Sequence, residues 1–237
     1  MVLKVYSAPF IGPCRNAGVV ALVLAEKQVP FEDIPIDIEF YKQKEPEHLA
    51  RHPFGQVPVL DDNGFMLYEM SAICRYIVEK YPENGPRLLP GPSVEDRAMF
   101  EQAISVEAHN FRAAVVPIFL ASLKISLRGR PVNVDAVKEG IKRLVQVLEV
   151  YDEILSRQKY VAGNLRRTQE LTIVDYFHLS PMDDLVKHGI VGDVMTCETR
   201  PNVARWWSEI STRPEWLKLR AEGMRSRLSY AESPACM

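Results

Sequence analysis

The order of apolar and polar positions divides the chain into a mixed first part and a helical second part. Strand-like runs occur at 2–6, 31–38, 57–60 and 65–67, and helical patterns occur at 14–27, 42–51 and 70–81. The predicted order is therefore βαβαββα. Asn63-Gly64 between the last two strands favours a tight hairpin, and Pro35 favours an edge position for the second strand.

A proline- and glycine-rich linker at 83–93 separates this part from a second part with helical periodicity throughout. Helices are predicted from 93 past 111 with an interruption near Pro117, at 134–155, from 172, at 201–211 and at 214–227. Thr172 and Asp175 have the spacing of a capping box. We therefore predict a first domain at 1–82 and an all-helical second domain at 94–237.

Composition limits the classes of function. The 237 residues are 47% hydrophobic and 25% charged, which is typical of a soluble globular protein. The net charge of −2 and the scattered basic residues predict no nucleic-acid partner and no anionic-membrane partner. No long apolar run predicts a signal peptide or a membrane anchor. Four separated cysteines without metal-ligand spacing predict no metal site, free thiols and a cytoplasmic location.

The stretch from His52 to Leu60 carries the strongest local signal. A proline- and glycine-rich turn leads directly into an apolar strand, and Pro58 lies at the mouth of that strand. We therefore predict a cis peptide bond between Val57 and Pro58. It would leave the Val57 amide and carbonyl free to pair with an extended peptide. The alternative is an ordinary turn before a strand.

Several motifs together resemble the phi class of cytosolic glutathione transferases. They are Phe54-Gly55-Gln56-Val57-Pro58, Tyr68-Glu69 with Ala72-Ile73, Glu107 to Phe111, Tyr160 to Gly163, Leu171 to Asp175, and Pro201-Asn202-Val203 running into Trp206-Trp207. The resemblance covers nearly the whole chain and implies a thioredoxin-like first domain followed by a helical bundle. It is strongest to fungal members, some of which serve secondary metabolism, including the isomerisation of pseurotin-type alkaloids.

The resemblance also implies glutathione as co-substrate or cofactor, a homodimer and a set of binding residues. Those residues are Gln43, Lys44, Gln56, Val57, Pro58, Glu69, Met70 and Ser71. Val57 would pair with the cysteinyl backbone, and Glu69 would meet the γ-glutamyl ammonium group. Lys44 and Gln43 would reach the glycyl carboxylate. Lys44 as a solvated surface lysine is the plain alternative.

Two departures from the family pattern concern the chemistry. Cys14 falls near the position of the serine that activates the glutathione thiol, and Ser7 is the nearby hydroxyl besides Tyr6. A thiolate of Cys14 at a helix N-terminus could form a mixed disulfide with glutathione, or the thiol could serve packing alone. Met70 stands where a second serine normally follows the glutamate, and methionine cannot donate to a carboxylate. Ser71 or backbone amides would then take over that role.

Four readings of function follow. The first is addition of the glutathione thiol to a hydrophobic electrophile, held by apolar residues such as Phe10, Ile11, Phe111 and Val115. These positions suit a protein core equally well. The second is glutathione-assisted cis–trans isomerisation of a double bond. The third is thiol transfer through Cys14, and the fourth is a ligand-binding protein without catalysis.

Overall fold

The structure, a computed structural model, describes residues 2–8, 16–38, 40–124, 131–162 and 171–222. A four-stranded sheet is formed by β1 (Leu3–Ser7), β2 (Phe31–Pro35), β3 (Val59–Asp62) and β4 (Phe65–Tyr68). The strand order is β2-β1-β3-β4, with β1 parallel to β2 and both other pairs antiparallel. The predicted edge position of the second strand is confirmed.

The helices follow in chain order. They are α1 (Asn16–Glu26), α2 (Pro46–Arg51), α3 (Met70–Lys80), α4 (Val94–Val106), α5 (Arg112–Phe119), α6 (Val134–Arg157), α7 (Ile173–Phe177), α8 (Leu179–Lys187), α9 (Pro201–Ser211) and α10 (Pro214–Glu222). A 3₁₀ turn at Lys42–Lys44 precedes α2. Among the described helices, none has the length and apolar character needed to cross a membrane. The predicted succession of a βαβαββα part and a helical part is confirmed.

Several strand boundaries differ from the sequence prediction, and two of them lie at prolines. The second strand ends at Pro35 and not at 38, because proline fixes φ and donates no ladder hydrogen bond. The third strand begins at Val59, although the apolar run suggested Val57. Val57 and Pro58 therefore lie just outside the ladder. The Asn63-Gly64 hairpin is as predicted, with φ values of 55° and 93°.

The chain divides into two compact units. The described part of the first comprises 2–8, 16–38, 40–86 and 214–222, and that of the second comprises 87–124, 131–162 and 171–213. The boundary falls inside the predicted linker. Sequence reasoning assigned everything from 94 onward to the helical domain, but α10 packs on α1 and groups with the first unit. The residues of α1 from Ala17 to Glu26 are all buried, which requires neighbouring elements on all sides of this helix.

The second unit is a bundle in which α6 packs against α5 and α9. The predicted interruption near Pro117 takes a different form, because the chain stays helical through this residue. Wider π-type turns at Glu107–Phe111 and Leu120–Lys124 flank α5. Such turns change the hydrogen-bond spacing of a helix without ending it, and proline disturbs that spacing.

Two carboxylates, the buried Asp175 and the half-buried Asp152, hold the starts of helices in the second unit. Asp175 accepts hydrogen bonds from the Thr172 amide (2.9 Å), the Val161 amide (3.1 Å) and Trp206 Nε1 (2.9 Å). The predicted capping box at the start of α7 is therefore present. Asp152 of α6 caps α9 in the same way, by accepting from the amides of Asn202 and Val203.

Candidate functional site

The turn between α2 and β3 is closely packed against the preceding segment. Gly55 has a φ of +56°, and a Cβ there would lie 2.6 Å from the Gln43 carbonyl oxygen. Only glycine fits this combination of left-handed backbone and close approach. The Gly55 amide donates to the His52 carbonyl at 2.7 Å, which closes the turn. The turn therefore delivers Gln56 and Val57 to a defined place on the surface.

Val57 forms an open backbone edge beyond the end of β3. The Val57–Pro58 peptide bond is cis, as the sequence analysis expected. Val57 is half-buried and Pro58 is buried, while Gln56 is exposed. No backbone hydrogen bond to the Val57 amide or carbonyl is formed within the described residues. An extended peptide could therefore pair with this residue as an added strand.

Glu69 lies between the end of β4 and the start of α3. Its side chain is exposed, and its backbone has φ 72° and ψ 115°, outside the regions that L-residues favour. Such conformations occur preferentially at functional sites. Met70 is buried and Ser71 is half-buried. The first amides of α3, which a helix does not pair internally, follow Glu69 directly in the chain. This end of the site offers both a carboxylate for a cation and amides for an anion.

Lys44 and Gln43 form the other end of the site. The Lys44 ammonium group donates to the Phe54 carbonyl at 2.8 Å, which ties the 3₁₀ turn to the turn before β3. An ammonium group has three donors, so two remain for a ligand carboxylate. Gln43 is half-buried, and its Oε1 has no partner among the described residues.

Two buried histidines of this region were missed by the sequence analysis. His48 Nε2 lies 2.8 Å from the Gln56 carbonyl oxygen, and the His52 ring stacks on Tyr68 with centroids 4.5 Å apart. Burial lowers the pKa of His52, which lies within electrostatic range of both Glu69 and Lys44. His48 lies within α2 and His52 directly follows its last residue, so their spacing of four positions was the available sequence signal.

Ser7 is the last residue of β1, the strand that pairs with both β2 and β3. It is fully buried, and its hydroxyl donates to Asp33 Oδ1 at 2.5 Å. Burial raises the pKa of Asp33 to about 6, against the lowering effect of the Ser7 hydrogen bond. The proton of Ser7 is thus engaged by a residue that the sequence analysis did not single out. The role of Ser7 as a thiol donor stays a prediction.

Three other predicted site residues, Cys14, Phe10 and Ile11, lie outside the described residues. Their predicted roles stay predictions. Cys74 of α3 is fully buried, and burial raises the pKa of its thiol. No group of side chains suited to a metal ion occurs in the part of the chain that the structure describes.

Phe111 and Val115 require a correction. Both were expected to line a hydrophobic substrate site, but both are fully buried in the core of the second unit. The Phe111 ring packs 4.5 Å from that of His178. A helix places successive residues about 100° apart, so neighbouring positions face different sides.

An apolar cleft in the second unit is lined by other residues of the same helical stretch and of α6. Its volume is about 480 Å³, within the range of small-molecule sites. The walls include Val106, Ala113, Val147, Val150 and Ile154, and the polar side chains are His109, Asn110, Arg143 and Gln146.

Comparisons with known proteins show which family the chain is similar to. Residues 1–79 match the family model "Glutathione S-transferase, N-terminal domain", and residues 108–214 match "Glutathione S-transferase, C-terminal domain". Glutathione S-transferase F9 of Arabidopsis thaliana is 40% identical over 217 residues, covering 91% of this chain and 95% of the relative. Glutathione S-transferase hmp2 of Hypomyces subiculosus is 38% identical over 227 residues, covering 94% and 99%.

A solved structure shows the same architecture. Glutathione S-transferase I from maize, in complex with an atrazine glutathione conjugate, has a TM-score of 0.81 and 34% identity, covering 93% of this chain and 97% of that one. The fold and the open edge at Val57 thus define a thioredoxin-like protein with a helical second unit. The chain belongs to the glutathione S-transferase family, and its relatives are of the phi class.

Proposed function

We propose that this glutathione transferase binds glutathione along the open edge at Val57 and adds its thiol to a hydrophobic electrophile. The observation that carries the proposal is the Val57 backbone, which lies just beyond the β3 ladder and forms no backbone hydrogen bond within the described residues. Glu69 and Lys44 both lie within electrostatic range of His52, at the start of the same turn. Glutathione has a peptide backbone with an ammonium group at one end and a carboxylate at the other. The Glu69 carboxylate and the Lys44 ammonium group complement these charges.

Each binding residue has a role in this proposal. Val57 pairs with the cysteinyl backbone, while Gln56 and Pro58 set the direction of the edge. The first-turn amides of α3, with Ser71 in place of the serine that Met70 replaces, hold the γ-glutamyl carboxylate. Gln43 joins Lys44 at the glycyl carboxylate.

Calorimetric titration with reduced glutathione tests this assignment. We expect micromolar to millimolar binding by the wild type and about tenfold weaker binding by Lys44→Met, because one charge-assisted hydrogen bond is lost. Lys142→Met is the matched control, since Lys142 is an exposed lysine on α6. Absence of binding and of thermal stabilisation in the wild type would overturn the proposed function.

The finer function is a specialised role in secondary-metabolite biosynthesis, with cis–trans isomerisation as the alternative. The resemblance to fungal members supports it, as does Met70 at a position where the family pattern has serine. Glutathione consumption distinguishes the two reactions. A transferase consumes one glutathione per product, whereas an isomerase returns glutathione unchanged.

Thiol transfer through Cys14 is a separate proposal with its own test. Cys14→Ser would abolish exchange with a glutathione mixed disulfide, because serine cannot form a disulfide. Conjugation would survive this change or increase, because serine restores the family hydroxyl.

Ligand binding without catalysis is a second candidate function, favoured by the apolar cleft of the second unit. A fluorescent apolar anion would bind there independently of glutathione, and Val147→Trp would reduce its binding by filling the space. Unchanged binding in that variant would remove this candidate.

Assembly and location complete the proposal. We propose a cytoplasmic homodimer, supported by the family resemblance and by the exposed aromatic residues Phe54 (67%) and Phe65 (50%) on the first unit. Light scattering during gel filtration would report the mass, and a monomer at micromolar concentration would contradict this assembly.

A further inference from the structure

Helix α2 contributes one buried side chain to the first unit, and that side chain is polar. His48 is 2% exposed, whereas the other α2 residues are exposed or half-buried. A buried position of this kind is usually apolar, because burying a polar group is unfavourable unless it is hydrogen-bonded. The hydrogen bond that His48 makes therefore indicates what the residue does.

That hydrogen bond fixes the protonation of one ring nitrogen. His48 Nε2 lies 2.8 Å from the Gln56 carbonyl oxygen. A carbonyl oxygen only accepts, so Nε2 carries the hydrogen and donates it. Nδ1 is buried without a hydrogen-bond partner among the described residues. Among the described residues, the polar contact of the ring is thus with the Gln56 carbonyl of the turn.

The Gln56 carbonyl and the Val57 amide belong to the same peptide unit. This unit is not among the cis peptides of the described residues, so its C=O and N–H point in opposite directions. When His48 holds the carbonyl oxygen toward the interior, the Val57 N–H is directed away from the interior. A rotation of the peptide plane would turn the same N–H inward.

We propose that His48 is a positioning residue for glutathione, which orients the Val57 amide by holding the Gln56 carbonyl. The inference rests on the proposed function, in which the cysteinyl backbone of glutathione pairs with Val57. His48 touches neither glutathione nor the reacting sulfur. Its effect is exerted on affinity through the direction of one N–H group, so it differs from the ligand contacts of Lys44 and Glu69.

A pair of substitutions separates positioning from a merely structural role. His48→Leu keeps the volume without a donor, and His48→Gln places an amide N–H near the position of Nε2. We expect the Kd for glutathione to rise about tenfold in His48→Leu and to return to within about twofold of wild type in His48→Gln. The kcat at saturating glutathione should stay within about twofold in both variants.

His188→Leu is the matched control. His188 also bonds a backbone carbonyl, that of Asp184 at 2.8 Å, but it lies in the second unit. Replacement of His188 by leucine should leave the Kd for glutathione unchanged. The inference would be overturned if wild type and folded His48→Leu had the same Kd for glutathione. It would also be overturned if His48→Gln bound glutathione as weakly as His48→Leu.

A measurement on the unaltered protein decides the matter if His48→Leu does not fold. Long-range ¹H–¹⁵N spectra report which ring nitrogen of His48 carries the hydrogen. We expect the Nε2–H form without glutathione and with it. An Nδ1–H form would overturn the inference even if glutathione binds, whereas failure of the wild type to bind glutathione would overturn the proposed function instead.

Discussion

At the scale of single residues, Glu69 combines an unfavourable backbone with an exposed charge. Its φ of 72° is in the range that favours glycine, yet the residue is a glutamate at the start of α3. Its side chain makes no hydrogen bond that caps the helix. The helix therefore gains no capping hydrogen bond from this glutamate. A glutamate at this position is explained if its carboxylate binds a ligand.

Glu69→Gly should make the protein more stable and less able to bind glutathione. Relief of the backbone strain should raise the free energy of unfolding by about 1 kcal/mol, after allowance for the entropy of glycine in the unfolded chain. Loss of the carboxylate should weaken glutathione binding by about tenfold or more. Urea unfolding and calorimetry measure the two effects.

Glu69→Gln serves as the control for the backbone. It removes the charge but retains a side chain at the same φ, so stability should change little while glutathione binding still falls. Equal stability of the glycine and glutamine variants would contradict the strain argument.

At the scale of elements, the turn from His52 to Val57 shows what the sequence could predict. Proline and glycine act through their own backbone preferences, which can be recognised without knowledge of the surroundings. The turn, the cis bond and the mouth of β3 were therefore predictable. His48 was not, because its role depends on a carbonyl eight residues away that the fold brings to 2.8 Å.

The same distinction explains the misplaced hydrophobic site. Apolar residues at 111 and 115 fit a core and a ligand cleft equally well, since hydrophobicity alone does not say which neighbour covers them. The cleft is lined by other positions of the same stretch, among them His109, Asn110 and Ala113. Asp33 was missed for a related reason, because its contact with Ser7 crosses between strands.

Gly55→Ala tests the close packing of the turn. The added Cβ would meet the Gln43 carbonyl oxygen at 2.6 Å and would require a φ of +56° from an alanine. We expect a loss of about 2–3 kcal/mol in the free energy of unfolding, together with weaker glutathione binding because the turn must shift. Urea unfolding and calorimetry provide the measurements.

Gly64→Ala is the matched comparison. Its φ is +93°, but a Cβ there would meet nothing within 4 Å. It should lose only about 1 kcal/mol from the backbone conformation and leave glutathione binding intact. If both variants lost the same stability and the same affinity, the packing of Gly55 on Gln43 would not matter.

At the scale of the whole molecule, buried ionisable groups link stability to pH. Burial raises the pKa of Glu107 and Asp175 in the second unit. The pKa of His178 shifts in the opposite direction. Burial lowers it to about 3, and the positive charge of Arg112 contributes to this lowering. Its ring bonds the Tyr151 hydroxyl at 3.0 Å and the Val174 carbonyl at 2.9 Å, so the neutral form is held on both sides.

The depressed pKa of His178 predicts a loss of stability in acid. The unfolded chain binds a proton at this residue below a pH of about 6.5, whereas the folded protein does not until about pH 3. The stabilising effect is therefore fully present above pH 6.5 and is lost as the pH falls. Between pH 7 and pH 5 it should amount to about 2 kcal/mol, at roughly 1.4 kcal/mol per pH unit below the unfolded pKa.

Urea unfolding at pH 7 and pH 5 can isolate this contribution. His178→Asn should be less stable than wild type at pH 7, because the Tyr151 hydroxyl loses its partner, but its difference between the two pH values should be smaller by about 2 kcal/mol. His188→Asn removes an exposed histidine and should leave that difference unchanged. A pH difference in His178→Asn as large as in wild type would show that acid acts through other groups, and His52, whose pKa burial also lowers, would be the next to replace.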